Sequence, residues 1–214
     1  MFQLTLQPNQ KCQLVDDGTK VVAIASRTSQ GETLSISTEP FHIHIPADTT
    51  LEYFLDWQKQ SVDREVVIHL DGEGATAKLT GLFFGDGEVQ FKLNSTMIHH
   101  APNTYGNTLI KGALKDASRA TLKGLIKIDK GANGSDDLLT ERVLLLSPKA
   151  RAEADPMLEI DANEVKATHA ASISRINREQ MYYLQARGIG KETAQQLIVE
   201  GFLEEVKALM PNLT

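Results

Sequence analysis

The chain has 214 residues, of which 41% are hydrophobic and 23% are charged. This composition is typical of a globular protein with one large domain, or one domain and a small appendage, and it excludes disorder throughout. The 22 Lys and Arg residues against 28 Asp and Glu residues give a net charge of −6, which does not favour a polyanionic partner. The single cysteine, Cys12, excludes an internal disulfide, a cysteine zinc site and a self-contained four-cysteine iron–sulfur site.

The N-terminal residues have no basic segment followed by an apolar core, so we expect no secretory signal. The aliphatic runs at residues 21–25 and 143–146 are far shorter than the roughly 18 apolar residues of a membrane span. With one cysteine and no export signal, a cytoplasmic location is the expectation.

Hydrophobic and polar residues alternate at the start of the chain, a pattern typical of half-buried strands. It covers residues 2–6, 34–36 and 41–45. Apolar residues at positions 51, 54 and 55 then fall at helical spacing and predict a short helix over about residues 50–60.

The strand pattern returns from Glu65 to Ile128, with glycines where turns are expected. Within it, the fragments Ile110-Lys111-Gly112 and Leu122-Lys123-Gly124 recur at a spacing of 12 residues. Short strands at near-regular spacing fit a sandwich, a barrel or a stacked coil of β rungs. Periodicity alone leaves all three architectures open.

The pattern becomes helical after about residue 175. Asn177, with Gln180 three positions further on, predicts an N-cap and a capping box, and Gly188 suits the C′ position that ends this helix. A second helix is predicted over residues 191–210, where Pro211 ends it. We therefore predict a β-rich body with two helices at the C-terminal end.

The segment between the two helices resembles a helix-hairpin-helix motif, in which a Gly-hydrophobic-Gly turn offers backbone amides to a DNA phosphate. Here that turn is Gly188-Ile189-Gly190. The second helix carries several glutamates that would repel phosphates, so a tight helix–helix turn is the favoured interpretation. A β-solenoid module that contacts DNA through this turn is the alternative. A Walker A loop is excluded because Glu192 follows Lys191, where Ser or Thr is required.

Four histidines are candidate metal ligands. His42 and His44 would share one face of a strand, at a spacing that could bind a metal. The adjacent His99 and His100 would point to opposite faces and cannot easily share an ion. No carboxylate or cysteine stands at a matching spacing, so structural or surface histidines are favoured over a metal-dependent enzyme. No Ser-His-Asp order or G-x-S-x-G elbow is present, and nothing indicates an autonomous enzyme.

The C-terminal half carries a family resemblance. The segments concerned are 97–104 (MIHHAPNT), 110–116 (IKGALKD), 122–128 (LKGLIKI), 156–169 (PMLEIDANEVKATH) and 180–189 (QMYYLQARGI). In order and spacing they resemble the SufB/SufD family of iron–sulfur cluster assembly proteins, continuously over about residues 66–206. The resemblance implies a mainly β protein, a right-handed parallel β-helix (β-solenoid) with a C-terminal two-helix region.

The resemblance also implies a function. The chain would be a scaffold subunit of the SUF machinery and not an enzyme. Its partners would be a SufC-like ABC ATPase and a SufB/SufD paralogue or a second copy of itself, with neither nucleic acid nor membrane as a partner. An iron–sulfur cluster would form transiently at the shared interface. Because the chain has one cysteine, the missing sulfur ligands would come from a partner.

The branch of the family is indicated at His169. The SufB-like pattern has a His-Glu pair, whereas this chain has His169-Ala170. SufD-like members commonly have Cys-Ser-His at residues 167–169, of which this chain keeps the histidine. The resemblance is thus to a short, SufD-like member, and it makes His169 the candidate residue for the cluster or the interface. A neutral imidazole can bind iron, but a packing role for His169 stays open.

The resemblance divides the chain into N-terminal strands with a short helix at residues 1–60, a β-helix core at 61–175 and a helical ATPase-docking region at 176–214. The candidate docking residues are Tyr183, Arg187, Gly188, Glu200 and Glu204. The apolar stripe of the second helix is assigned mainly to packing on the β body; its members are Leu197, Ile198, Phe202 and Val206.

Overall fold

The computed structural model describes residues 2–23, 33–34, 41–58 and 60–211. In chain order its elements are β1 (Phe2–Thr5), β2 (Lys11–Asp16), β3 (Val21–Ala23), β4 (Thr33–Leu34), β5 (Phe41–Ile45), β6 (Thr50–Gln58), β7 (Val62–Leu70), β8 (Thr76–Gly85), β9 (Gln90–His99), β10 (Tyr105–Leu114), β11 (Arg119–Ile128), β12 (Asp136–Leu145), β13 (Arg151–Ile160), β14 (Lys166–Arg175), α1 (Arg178–Ala186) and α2 (Lys191–Lys207).

The strands form two sheets. The first has the order β1-β5-β7-β9-β11-β13 and the second the order β14-β12-β10-β8-β6-β2-β3-β4. From β5 onward consecutive strands alternate between the sheets and pair in parallel with the strand one turn away, so the chain winds into a parallel β-solenoid of about five turns. The stacked coil of rungs is therefore the architecture adopted, as the resemblance predicted.

The length of a turn varies along the solenoid. Phe41 pairs with Val66 at one end and Arg119 with Arg151 near the other, so one turn takes roughly 25 to 32 residues. In-register parallel pairing aligns the side chains in rows that run from turn to turn. Rows that point inward fill the core, which is continuous from Leu14 to Val143.

Gly112 shows why the repeated Lys-Gly fragments carry glycine. It pairs with Phe83 in an inward row, and a Cβ on Gly112 would collide with the Phe83 ring. The absence of a side chain leaves room for a large aromatic ring one turn earlier. The two Lys-Gly fragments lie on β10 and β11, in opposite sheets, so their spacing of 12 residues is not the period of the solenoid.

The helix predicted over residues 50–60 is wrong: this segment is strand β6, held between β2 and β8. Leu51, Tyr53, Leu55 and Trp57 are all buried in the core. Phe54 is buried as well, on the opposite face of the strand. The apolar Phe54 interrupts an otherwise regular alternation along this strand, and its spacing from Leu51 and Leu55 imitates a helix.

The predicted strands at residues 2–6 and 41–45 are present as β1 and β5. Leu34 lies in β4, whereas Ile36 lies outside the described residues. The division of the chain at residues 60 and 175 stays a prediction.

The C-terminal helices begin and end close to the predicted residues. The Asn177 side chain caps α1 by accepting a 2.8 Å hydrogen bond from the backbone N–H of Glu179 rather than Gln180. Gly188 follows α1 with a φ of 84°, a conformation that favours glycine. Helix α2 ends at Lys207, a few residues before Pro211.

Helix α2 packs on the outer face of the second sheet. Its Val199, Leu203 and Val206 are buried against residues of β8, β10 and β12. Ile198 and Phe202 of the predicted stripe join this contact, but Leu197 is 44% exposed and does not. The buried face of the helix is centred near Val199, so Leu197 points away from the sheet. Within the described residues, no helix is long and apolar enough to span a membrane.

Candidate functional site

The last turn of the solenoid, formed by β13 and β14, is called here the open end. Each of these strands pairs with a sheet neighbour on one side only in the described part of the chain. Three apolar residues on inward rows are consequently exposed: Leu158 by 37%, Ile160 by 42% and Ile173 by 41%. Their row partners one turn earlier, on β11 and β12, are fully buried. The open end is thus a cross-section of the core that lacks a covering turn.

His169 lies on β14 at this open end. Its register partner is Leu139, which is buried and belongs to the row that runs inward from Leu14 through Tyr53, Leu79 and Thr108. His169 itself is exposed because, among the described residues, no further turn stacks on β14. The imidazole therefore continues a core row out to the surface at which another molecule could contact it.

Glu141 on β12 is buried directly below the open end. Neither of its carboxylate oxygens has a hydrogen-bonding partner among the described residues. Burial, and secondarily the charge of Asp155, raises the pKa of Glu141 to about 7. In the sequence Glu141 is the middle of three polar residues, between Thr140 and Arg142, and only the strand register reveals that it points inward.

The proposed docking residues fall into two groups. On α1, the Arg187 guanidinium lies 4.4 Å from the centroid of the exposed Tyr183 ring, a cation–π contact at the beginning of the Gly188 turn. On α2, Glu200 and Glu204 are exposed. Glu200 also lines a cleft of about 500 Å³ between α2 and the second sheet.

Lys111, in the first Lys-Gly fragment, holds α2 against the solenoid. Its buried Nζ donates a 3.0 Å hydrogen bond to the carbonyl oxygen of Phe202 and forms a 2.6 Å ion pair with Glu205. The hydrogen bond and charge of Lys111 lower the pKa of Glu205. The Lys-Gly fragment is visible in the sequence but this role is not, since the contact joins residues 91 positions apart.

A second cluster, the histidine ladder, lies on the outer face of the first sheet and consists of His42, His44, His69 and His100. The His44 and His69 rings stack at 4.3 Å, and His69 and His100 stack at 5.3 Å. His42 Nδ1 lies 2.9 Å from His69 Nε2, and His69 Nδ1 lies 3.0 Å from His100 Nε2. The predicted common face of His42 and His44 is confirmed, whereas His69 was missed.

Two carboxylates flank the ladder. Asp71 Oδ2 lies 2.8 Å from His44 Nδ1, and Asp129 Oδ2 lies 2.6 Å from His100 Nδ1. Burial, followed by the charges of His44 and His100, lowers the pKa of His69 to about 4. His44 and His69 are register partners, so a spacing of one solenoid turn is the signal that could have joined them.

His99 points inward, opposite to His100, as the sequence predicts. It is fully buried, with Nε2 2.9 Å from Asp137 Oδ2 and Nδ1 2.7 Å from the Thr104 hydroxyl. Burial raises the pKa of Asp137, and the contact with His99 opposes that rise. With both ring nitrogens bound within the core, His99 is a structural histidine.

Comparison with known proteins identifies the family. Residues 12–202 match the family model described as "SUF system FeS cluster assembly, SufBD core domain". The chain belongs to the SufB/SufD family. The match begins at Cys12 and so includes the first turns of the solenoid, beyond the segments that carried the resemblance in the sequence.

Individual relatives agree with this family. The chain is 37% identical over 147 residues to the iron–sulfur cluster assembly protein SufD of Bacillus subtilis, covering 69% of this chain and 34% of the relative. It is 31% identical over 204 residues to an iron–sulfur cluster assembly SufBD family protein of Mycobacterium bovis, covering 91% of this chain and 51% of the relative. The chain thus spans between about a third and about half of these relatives.

Proposed function

We propose that the chain is a non-catalytic scaffold subunit of the SUF machinery that works in the cytoplasm. Membership of the SufB/SufD family supports a role in iron–sulfur cluster assembly. The observation that carries the scaffold role is the open end, where core rows reach the surface on β13 and β14. Exposed core rows favour a protein partner, because they bury apolar area only when another surface covers them.

The partner at the open end is a second SufB/SufD chain, either a paralogue or another copy. A solenoid of the same family has rungs of matching width and would cover Leu158, Ile160 and Ile173 together. Pro156 lacks a backbone N–H, so it interrupts any continuous hydrogen-bond ladder along β13. We therefore expect the contact to rest on β14 and on side chains of both strands.

A transient iron–sulfur cluster would form at this shared interface, with His169 as the residue that faces it. The open end contains no cysteine, and Cys12 lies on β2, five strands away in the second sheet. Cys12 packs against the core, where burial raises the pKa of its thiol. The sulfur ligands therefore come from the partner chain.

A SufC-like ABC ATPase would dock on α1 and α2. The anchor formed by Lys111 fixes α2 on the solenoid, so movement of a docked ATPase would be transmitted to the β body. The candidate contacts stay Tyr183, Arg187, Gly188, Glu200 and Glu204, and the exposed Leu197 adds an apolar position beside them. The net charge of −6 supports neither nucleic acid nor an anionic membrane as a partner.

The docking step is tested by co-purification with the matching ATPase, with and without nucleotide. We expect a complex with the full chain and its loss in a Tyr183→Ala/Arg187→Glu variant. Lys92→Glu, an exposed charge change on the first sheet, is the control and should bind normally. Absence of a complex under every nucleotide condition would contradict the docking role.

The cluster step is tested with His169→Ala in cells that depend on this protein for iron–sulfur enzymes. We expect reduced cluster assembly with an unchanged thermal unfolding transition, because the side chain is exposed. Thr168→Ala, at the neighbouring exposed position of β14, is the matched control. Normal assembly in the His169 variant would make this histidine structural.

A further inference from the structure

The histidine ladder brings metal-binding groups together far from the open end. One ligand atom from each of His44, His69 and Asp71 lies within 4.8 Å of the other two. The two histidines are register partners on β5 and β7, and Asp71 follows β7 on the same outer face. Regular sheet geometry therefore fixes the positions from which all three side chains extend.

We propose that His44, His69 and Asp71 bind a divalent transition-metal ion. Imidazole nitrogen is a preferred ligand of Zn²⁺, Co²⁺, Ni²⁺ and Fe²⁺, and one carboxylate offsets part of the charge of the ion. Two histidines and one carboxylate leave further coordination positions for water or another ligand. The all-oxygen sites preferred by Ca²⁺ and Mg²⁺ differ from this donor set.

The neighbouring groups would orient these ligands. Each ring nitrogen of His69 already has a histidine partner: Nε2 lies 2.9 Å from His42 and Nδ1 lies 3.0 Å from His100. Whichever nitrogen binds the ion, the other keeps a partner. His100 is in turn held by Asp129 at 2.6 Å. Hydrogen-bonded partners of this kind fix the orientation of metal-binding imidazoles.

Only small movements are required to bind an ion. Ligand atoms about 2.0–2.2 Å from an ion lie roughly 3.0–3.5 Å from one another, and the three ligand atoms here already lie within 4.8 Å of one another. His44 Nδ1 and Asp71 Oδ2 are already 2.8 Å apart. The side chains of His44 and Asp71 are 28% and 41% exposed, so they can turn without disturbing the core.

The site is independent of the proposed scaffold function. Strands β5 and β7 are separated from β13 by β9 and β11 in the first sheet, so the open end does not contribute a ligand. Loss of pairing or of ATPase docking would therefore leave metal binding intact, and the reverse also holds.

The experiment is a titration of the metal-free full chain with Zn²⁺ by calorimetry, and with Co²⁺ by visible absorption. We expect one equivalent to bind and the Co²⁺ complex to show ligand-field bands with nitrogen coordination. His69→Ala and Asp71→Asn should each weaken binding more than about 10-fold, because even partners outside the coordination sphere contribute that much. Asp63→Asn, an exposed aspartate on the same face of β7, should leave affinity unchanged.

Circular dichroism of each variant without metal establishes whether it is folded. If His69→Ala does not fold, the affinity of Asp71→Asn tests the proposal. Zn²⁺ should raise the thermal transition of the wild-type and Asp63→Asn proteins but not of the other two. Binding of less than one equivalent to the wild-type protein would overturn the proposal. So would equal affinity in all variants, which would leave the ladder as hydrogen-bonded histidines only.

Discussion

Two buried carboxylates occupy the same inward row at opposite ends of the solenoid. The strand register aligns Asp16 on β2 with Glu141 on β12 through Leu55, Gly81 and Ile110. Asp16 is fully paired, since Arg64 donates hydrogen bonds of 2.7 and 3.1 Å to its two oxygens and the Tyr53 hydroxyl donates another of 3.2 Å. Glu141 has no such partner in the described part of the chain.

The two ends of the solenoid are completed in different ways. At the first turn, the antiparallel strands β3 and β4 extend the second sheet beyond β2, and the ion pair satisfies the buried charge. At the last turn no described strand pairs with the outer edge of β14, and the core rows end exposed. Solenoids require a terminal cap for solubility. This chain supplies one cap itself, and the proposed partner would cover the other end.

The largest expected effect is at the capped end. Arg64→Met should lower the free energy of unfolding by about 3–5 kcal/mol, because it leaves the Asp16 charge buried and unpaired. Urea denaturation at pH 7 measures this loss. The double variant Asp16→Leu/Arg64→Met should recover much of it, since it removes both charges. A loss below about 1 kcal/mol in the single variant would show that the ion pair does not stabilise this end.

Glu141→Gln should instead raise the free energy of unfolding at neutral pH. The raised pKa of about 7 means that the folded state holds a proton which the unfolded chain, with a glutamate pKa near 4.5, releases. The free-energy cost of burying the carboxylate is absent below pH 4.5. It grows between pH 4.5 and 7 and reaches its full value above pH 7. Relative to the variant, the wild-type protein should therefore lose up to about 3 kcal/mol of stability between pH 4.5 and 8.

Denaturation of both proteins at pH 4.5, 6 and 8 tests this assignment. The glutamine carries no titrating group, so the difference between the two curves isolates Glu141. Parallel curves across this range would mean that the carboxylate is solvated in the folded state.

Local features were predictable from the sequence, whereas features that depend on the turn length were not. The Asn177 cap and the Gly188 turn depend on neighbouring residues, and both were found. The histidine ladder joins residues one turn apart, and a turn of varying length hides that spacing. Segment 50–60 imitates a helix because one apolar residue on its outward face, Phe54, interrupts the alternation.

Alanine substitutions at two glycines compare the rigidity of packing in the middle of the solenoid with that near its open end. Gly112→Ala should cost about 1–3 kcal/mol, because its Cβ would meet the rigid, buried Phe83 ring. Gly124→Ala should cost less than about 1 kcal/mol, since its Cβ meets the flexible end of Leu139, which lies next to the last turn. Thermal unfolding of the two variants measures the ranking. Equal costs would show that the last turns are packed as rigidly as the middle.

The smallest effect on stability is expected at the open end itself. Ile173→Glu should change the unfolding free energy of the isolated chain by no more than about 0.5 kcal/mol, because this residue is already 41% exposed. Val143→Glu, one turn earlier in the same row, should lose about 3 kcal/mol, because it buries an unpaired charge.

The same Ile173→Glu variant should lose association with a second SufB/SufD chain, measured by light scattering after size-exclusion chromatography. If the isolated chain tolerates this charge but the complex does not, the core row that contains Ile173 is covered only when the partner binds. If the variant pairs normally, the open end is not the contact surface. If it unfolds like Val143→Glu, the last turn is already part of a closed core, and the contrast between the two ends disappears.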